Sequence, residues 1–200
     1  MKIWDILKLG LVLMIYAVAA CTGLAFVYAG TAKTIEARNA AGLEAALKEL
    51  FPEADGFEDI TGAIKSPGGE VSFETEWAVR RDGKLAGVAI RSSVGSYGGP
   101  VKILAGVGVD GKISRIKVME HTDTPGLGAN AADPGYYVNE EKKITFAGQF
   151  DEKPVSDPFE PKNDVIAITA ATITSRAVAV AVKTSGVAAQ QWLTEQGVEK

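Results

Sequence analysis

Residues 9–32 are 24 consecutive uncharged positions, most of them apolar. A helix rises ~1.5 Å per residue, so this run can cross a hydrocarbon core about 30 Å thick. No other stretch constrains the fold as tightly, because backbone placed in lipid must pair with itself and is therefore helical. Lys8 and Lys33 bracket the run; Tyr28 suits one membrane interface, whereas Tyr16 lies deeper. Two other readings compete. A secretory signal has a shorter apolar core, of about 7–15 residues. Val18-Ala19-Ala20-Cys21 resembles a lipoprotein cleavage box, in which Cys21 would be acylated, yet residues 22–29 stay apolar where a mature lipoprotein turns polar. An intact single-pass anchor is the expectation. Lys2 and Lys8 before the run face Lys33, Arg38 and Lys48 after it, so basic residues do not set the orientation. The short leading segment suits a cytoplasmic N-terminus and an exported remainder.

The remaining residues suffice for one ordinary domain. Removing Lys2, Lys8 and Asp5 from the 21 basic and 25 acidic residues leaves 19 and 24 beyond the span. This acidic balance argues against nucleic acid as a partner and against a domain lying flat on an anionic bilayer. Cys21 is the one cysteine and His121 the one histidine. A single chain cannot build a four-cysteine iron-sulfur site, a mixed cysteine and histidine zinc site or an internal disulfide from these. Electron transfer by this chain would need an organic cofactor. His121 reads as a polar residue at a strand end, Trp4 as an interface anchor and Trp192 as helix packing.

Residues 34–51 lack proline and space Ile35, Leu43, Leu47 and Leu50 for a helix that extends the span or follows it after a break. Residues 52–69, with Gly56, Gly62, Pro67, Gly68 and Gly69, predict a loop-rich connection. Then the period changes: Val71, Phe73, Thr75 and Trp77 alternate with Ser72, Glu74 and Glu76, predicting a half-buried strand. Turns at Asp82-Gly83 and Asp110-Gly111 predict two hairpins, 71–91 and 101–119, and hence an antiparallel sheet. No G-x-G-x-x-G follows a first strand, which argues against a dinucleotide-binding fold. Two glycine-rich loops interrupt the pattern, at residues 93–100 and 122–128, and residues 129–162 predict an irregular, exposed stretch with one apolar patch at 144–150.

The run Thr169-Ala170-Ala171-Thr172-Ile173-Thr174-Ser175 lies between Val165-Ile166-Ala167-Ile168, which reads as a short buried strand, and an Ala/Val-rich helix over 176–193. Ser175 reads as its N-cap. A helix start has unpaired amides and partial positive charge, and so favours a phosphate beside it by about 0.3–1 kcal/mol from the dipole alone. Serines and threonines also gather before helices merely to cap them. Local physics leaves both roles open, and does not choose among the threonines.

The single span, the Gly-Tyr-Gly-Gly-Pro-like loop around Tyr97, the loop Thr124-Pro125-Gly126-Leu127-Gly128 and the Thr169–Ser175 run occur in an order that resembles the membrane-anchored FMN-binding domain family. The resemblance covers nearly the whole chain. It is strongest to the G subunits of Rnf electron-transport complexes; the C subunits of sodium-translocating NADH:quinone reductases are related. In this family FMN is esterified through its phosphate to the last threonine of a Ser/Thr-Gly-Ala-Thr sequence, which corresponds to Thr172. The family glycine is Ala170 here. Its acidic residue three before the Ser/Thr is Ile166, with Asp164 two positions early, and Asp123 replaces the usual glutamate of the Thr-Pro-Gly loop.

The resemblance implies an α+β fold: a transmembrane helix, then an FMN-binding domain with an antiparallel sheet and flanking helices. The implied organisation is a cytoplasmic 1–8, a transmembrane 9–32, a helix and connection over 33–69, and an extracytoplasmic FMN domain over 70–200, at the inner (cytoplasmic) membrane. Thr172 would carry covalent FMN. Thr169, Ala170, Ala171, Thr174, Ser175, Asp123, Thr124 and Gly126 would surround it, with Tyr97 and Leu127 flanking the ring. No metal site and no catalytic residue are expected. The implied partners are integral membrane and iron-sulfur or flavin subunits of an Rnf-type complex, plus a flavin transferase for maturation. The implied role is electron relay in an ion-translocating ferredoxin:NAD oxidoreductase, with the overall reaction catalysed only by the assembly. A stand-alone extracytoplasmic flavin reductase is the alternative; a non-redox anchored module, its threonines only capping a helix, is a third.

Overall fold

The computed structural model describes residues 3–66 and 68–197, and Lys2 and Pro67, used above, lie outside them. The chain divides into two compact units, Met1–Ala45 and Ala46–Lys200.

The described residues of the first unit belong to one helix, α1 (Ile3–Leu50), which continues unbroken from the apolar run through the residues beyond it. It is long and apolar enough to cross a membrane. Its large apolar side chains, among them Leu9, Leu13, Ile15, Val18, Leu24 and Val27, are exposed, as expected of residues whose solvent is lipid. The hydroxyls of Thr22 and Thr31 donate to the carbonyls of Val18 and Val27, at 2.7 and 2.8 Å, so neither needs a partner outside the helix.

The second unit is built on a five-stranded antiparallel meander: β1 (Gly56–Asp59), β2 (Val71–Arg81), β3 (Lys84–Gly95), β4 (Pro100–Gly108) and β5 (Ile113–Glu120), in that spatial order. Both predicted turns are present. Asp82 and Gly83 have φ of 51° and 71°, the pair of positive values that a tight hairpin between right-twisted strands requires. The stretch predicted as a connection contains β1, which pairs with β2 from Gly56↔Arg80 to Asp59↔Trp77. At four residues and with little apolar content, it has no readable period.

The alternation predicted for β2 breaks at a bulge between Phe73 and Thr75. One extra residue reverses the side on which all later side chains lie. Phe73 pairs with Ser92, whereas Glu76 and Ala78 pair with Ile90 and Val88 and share their face. Glu76 is consequently buried, and accepts a hydrogen bond at 2.6 Å from the Gly62 amide.

Helix α2 (Thr172–Glu195) packs across β3 and β4. Val88, Ile90, Val101, Ile103 and Ala105 are fully buried with the helix residues Val178, Ala181 and Val182. The small residues of α2 bring it close: a Cβ on Gly186 would lie 3.3 Å from Ile113 and Val155. On the opposite sheet face Phe51 rests where Gly87 and Gly106 lack side chains. Beside it Arg91 and Lys102 pair with Glu74 and Glu120 across four strands. The hydrogen bond from Lys102 to Glu120 raises the lysine pKa, against the opposing effect of burial.

Residues 129–162 are irregular as predicted, with short 3-10 turns and a two-stranded ribbon of β6 (Tyr137–Asn139) and β7 (Ile144–Thr145). They are not uniformly exposed. Phe146, Phe150, Val155 and Phe159 are buried in the core, the rings of Phe146 and Phe150 meeting edge to face at 5.7 Å. Aromatic burial fixes this segment without a repeating backbone pattern.

Candidate functional site

The segment before α2 is not the strand its composition suggests. Val165 and Ile168 are buried, but only Val165 makes a bridge, to Pro161. A side chain replaces the missing neighbour: Gln149 Oε1 accepts from the Ile166 amide at 2.7 Å, and its Nε2 donates to the Ile166 carbonyl at 3.1 Å. Asp164 anchors the same stretch, accepting from the Glu160 amide at 2.7 Å and from Lys153 Nζ at 2.9 Å. Burial alone would raise the Asp164 pKa. The bonds from Lys153, Glu160 and Phe159 and the lysine charge outweigh it, and hold the carboxyl below its ordinary value.

Helix α2 begins one turn earlier than predicted, and Ser175 is not its cap. Ala171 occupies the N-cap position, with no side-chain capping bond. Ser175 lies inside the first turn, fully buried, where its Oγ accepts from the Ile168 amide at 2.9 Å and donates to the Ala171 carbonyl at 2.9 Å. It ties the incoming strand-like segment to the helix. The first helical amide to pair back is that of Ser175 itself, to Ala171 at 3.0 Å. The amides of Thr172, Ile173 and Thr174 precede that ladder.

Ala170 has φ of 58°, in the left-handed region where a Cβ crowds the backbone. The chain reverses here, from Ile168 into the helix, and the turn is closed by the Ala171 amide on the Ile168 carbonyl at 3.0 Å. A glycine would take this conformation at no steric cost.

An open cavity of about 420 Å³ lies at this helix start. Three separate segments line it: Tyr97 from the loop between β3 and β4; Asp123, Thr124, Leu127 and Gly128 from the loop after β5; and Ala170 to Thr174. Of the residues expected at a site, Tyr97, Asp123, Thr124, Leu127, Ala170, Ala171, Thr172 and Thr174 are brought together. Thr169, Gly126 and Ser175 are not on the lining. Thr169 is exposed beside it, Ser175 is buried behind it, and Gly126, at φ of 78°, turns the second loop.

The two threonines of α2 that line the cavity differ. Thr172 is exposed, whereas Thr174 is buried, at 1% exposure. Ser96 Oγ lies 2.9 Å from Asp123 Oδ2 and 3.1 Å from Thr174 Oγ1. Its one proton goes to the carboxylate, leaving its lone pairs to accept from Thr174. The other carboxylate oxygen accepts from the Gly98 amide at 2.7 Å. A Cβ on Gly128 would lie 2.6 Å from Thr174 Oγ1 and 2.7 Å from the Asp123 carboxyl carbon, so only glycine lets this loop approach. Ser96, Gly128 and Ile173 were not singled out from the sequence. Gly128 and Ile173 stand inside motifs that were; Ser96 has no local signal, since its partners are 27 and 78 residues away.

Tyr97, Leu127 and Ile173 are 75%, 41% and 58% exposed, giving the cavity an uncovered apolar rim. His121 follows directly on β5, off the cavity lining, with its Nδ1 buried and unpartnered among the described residues. No group of His, Cys, Asp and Glu that could hold a metal occurs among the described residues.

Residues 96–185, which include all three lining segments, match the FMN-binding domain family, and residues 1–50 match the RnfG N-terminal region. The chain is 33% identical over 178 residues to the G subunit of the ion-translocating oxidoreductase complex of Methanosarcina acetivorans, covering 87% of this chain and 89% of that protein. It is 30% identical over 201 residues to the G subunit of the Na(+)-translocating ferredoxin:NAD(+) oxidoreductase complex of Acetobacterium woodii, covering 92% and 89%. With the proton-translocating counterpart from Clostridium ljungdahlii it shares 32% identity over 144 residues, 68% of this chain and 66% of that one. A long apolar N-terminal helix, an FMN-binding domain and similarity along nearly the full length converge, and the chain belongs to the family of G subunits of ion-translocating oxidoreductase complexes.

Proposed function

We propose that this chain is the membrane-anchored, flavin-carrying subunit of an ion-translocating ferredoxin:NAD-type oxidoreductase, with FMN esterified through its phosphate to Thr172. The observation that carries the reading is the exposed Thr172 on the lining of a cavity of about 420 Å³ at the start of α2. That volume lies within the range of cofactor pockets. The amides of the first helical turn can donate to a phosphoryl group on Thr172, and Tyr97, Leu127 and Ile173 offer apolar surface to a flat ring. Thr174 is already committed to Ser96, which favours Thr172 as the acceptor. When bound, the flavin supplies electron transfer; the chain's own residues hold and orient it. A flavin transferase would attach it, and an ester makes retention independent of affinity outside the cytoplasm, where the domain is proposed to lie at the inner membrane. The assembly's other integral membrane and iron-sulfur or flavin subunits would supply and remove the electrons.

The test is denaturing gel electrophoresis of the full chain made with its transferase, viewed under ultraviolet light. A fluorescent band is expected for the wild type and none for Thr172→Val. Fluorescence that persists in the variant would move the ester to another threonine, and a dark wild-type band would overturn covalent FMN.

A further inference from the structure

Asp123 is the one carboxylate or cation among the residues lining the cavity, and it is only 6% exposed. Among the described residues it has no cationic partner. Its two oxygens are held instead by neutral donors, the Ser96 hydroxyl at 2.9 Å and the Gly98 amide at 2.7 Å. Buried Glu76 is likewise held by a neutral donor, the Gly62 amide at 2.6 Å, but it does not line the cavity, and several other carboxylates of the domain have cationic partners. Glu74 and Glu120 pair with Arg91 and Lys102, Asp164 with Lys153, and Asp151 with Arg115. A buried charge without a counter-charge is costly and acts strongly on its surroundings, because little water screens it. The glycine-tight contact of residue 128 against the carboxyl carbon, and the bond that Thr174 donates to Ser96, fix this charge relative to the start of α2.

We infer that Asp123 sets the electrostatic potential of the cavity and thereby lowers the reduction potential of the flavin held there, in addition to joining the three loops. This rests on the flavin reading above. Two-electron reduction of an isoalloxazine with uptake of one proton leaves one added negative charge on the ring. A fixed carboxylate in the wall opposes that charge, so its removal favours the reduced form.

The experiment is a reductive titration of the FMN-loaded full chain in detergent, with a redox dye reporting the poise. Each dithionite gives two electrons and is oxidised to two sulfites. At a fixed poise, Asp123→Asn is expected to raise the ratio of reduced to oxidised flavin about three- to tenfold. The asparagine oxygen can still accept from Gly98, and its NH2 can donate to Ser96. Ser96→Ala keeps the charge while removing a bond, and is expected to move the ratio less than about twofold. An unchanged ratio in Asp123→Asn overturns the inference, as do equal shifts in both variants, since loosened packing would then account for them. Should Asp123→Asn not fold, Asp123→Ser serves: it removes the charge while its hydroxyl can still accept a hydrogen bond, and it must raise the ratio; an unmoved ratio overturns the inference. A wild-type gel band without fluorescence overturns the flavin reading itself and this inference with it. A fluorescent wild type with unmoved ratios overturns the inference alone.

Discussion

Thr22 in α1 and Ser175 in α2 make the same local bond. Each hydroxyl donates to the carbonyl four residues back, at 2.7 and 2.9 Å. In α1 the matter ends there, because the bond merely hides a hydroxyl on an exposed helix surface. In α2 the same oxygen also accepts from the amide of Ile168, which is buried and outside the helix. The hydroxyl donor and the helical bond are shared; the tertiary partner is not. Along the apolar run of α1 the side chains have no tertiary partners among the described residues that would single one position out. In the junction they do, and neighbouring hydroxyls there have separate duties.

The sharpest way to break this contrast is to delete both hydroxyls. Ser175→Ala should cost about 1–3 kcal/mol, because the Ile168 amide is left buried without an acceptor. Thr22→Ala should change stability by less than about 0.5 kcal/mol. Thermal melts of the full chain in detergent would compare them, and equal losses would sink the distinction.

Asp164 extends the comparison to the loop that delivers the chain to α2. Asp164→Asn should cost about 1–2 kcal/mol near neutral pH by weakening charge-assisted bonds. Its folded pKa is lowered, so its contribution is complete above the ordinary carboxylate value and is lost as pH falls through the folded one. The gap between wild type and variant should therefore be flat above about pH 5 and close as the pH drops below about 4. Urea melts across that range would show it; a gap that widens in acid would contradict the assignment.

The smallest expected effect has the opposite sign. Ala170→Gly relieves a left-handed alanine at φ of 58°, offset in part by the greater freedom of glycine in the unfolded chain. A gain of up to about 1 kcal/mol is expected. A loss would show that the turn does not strain the alanine.

The sequence was most legible where one property repeats over many residues. The apolar run set the helix, the Asp-Gly pairs set both hairpins, and alternation located β2. It was least legible where a single event changes the frame. The bulge after Phe73 turns Glu76 inward, β1 is too short to show a period, and the aromatic residues of 146–159 are buried without a regular element. At the candidate site, the motif order drew attention to Tyr97, the Thr-Pro-Gly loop and the residues before α2. Ser96 escaped notice, because a serine in a glycine-rich loop is ordinary until its distant partners are known.

By itself the sequence determined the long apolar helix, the antiparallel hairpins and the run of hydroxyls at a helix start, because these follow from local composition and spacing. The tertiary structure alone decided which threonine is exposed. Thr172 and Thr174 are chemically identical and two residues apart, and a helix turns about 200° over that distance. The sheet and the two loops lie on the side of Thr174, so that it is buried against Ser96 while Thr172 stays exposed.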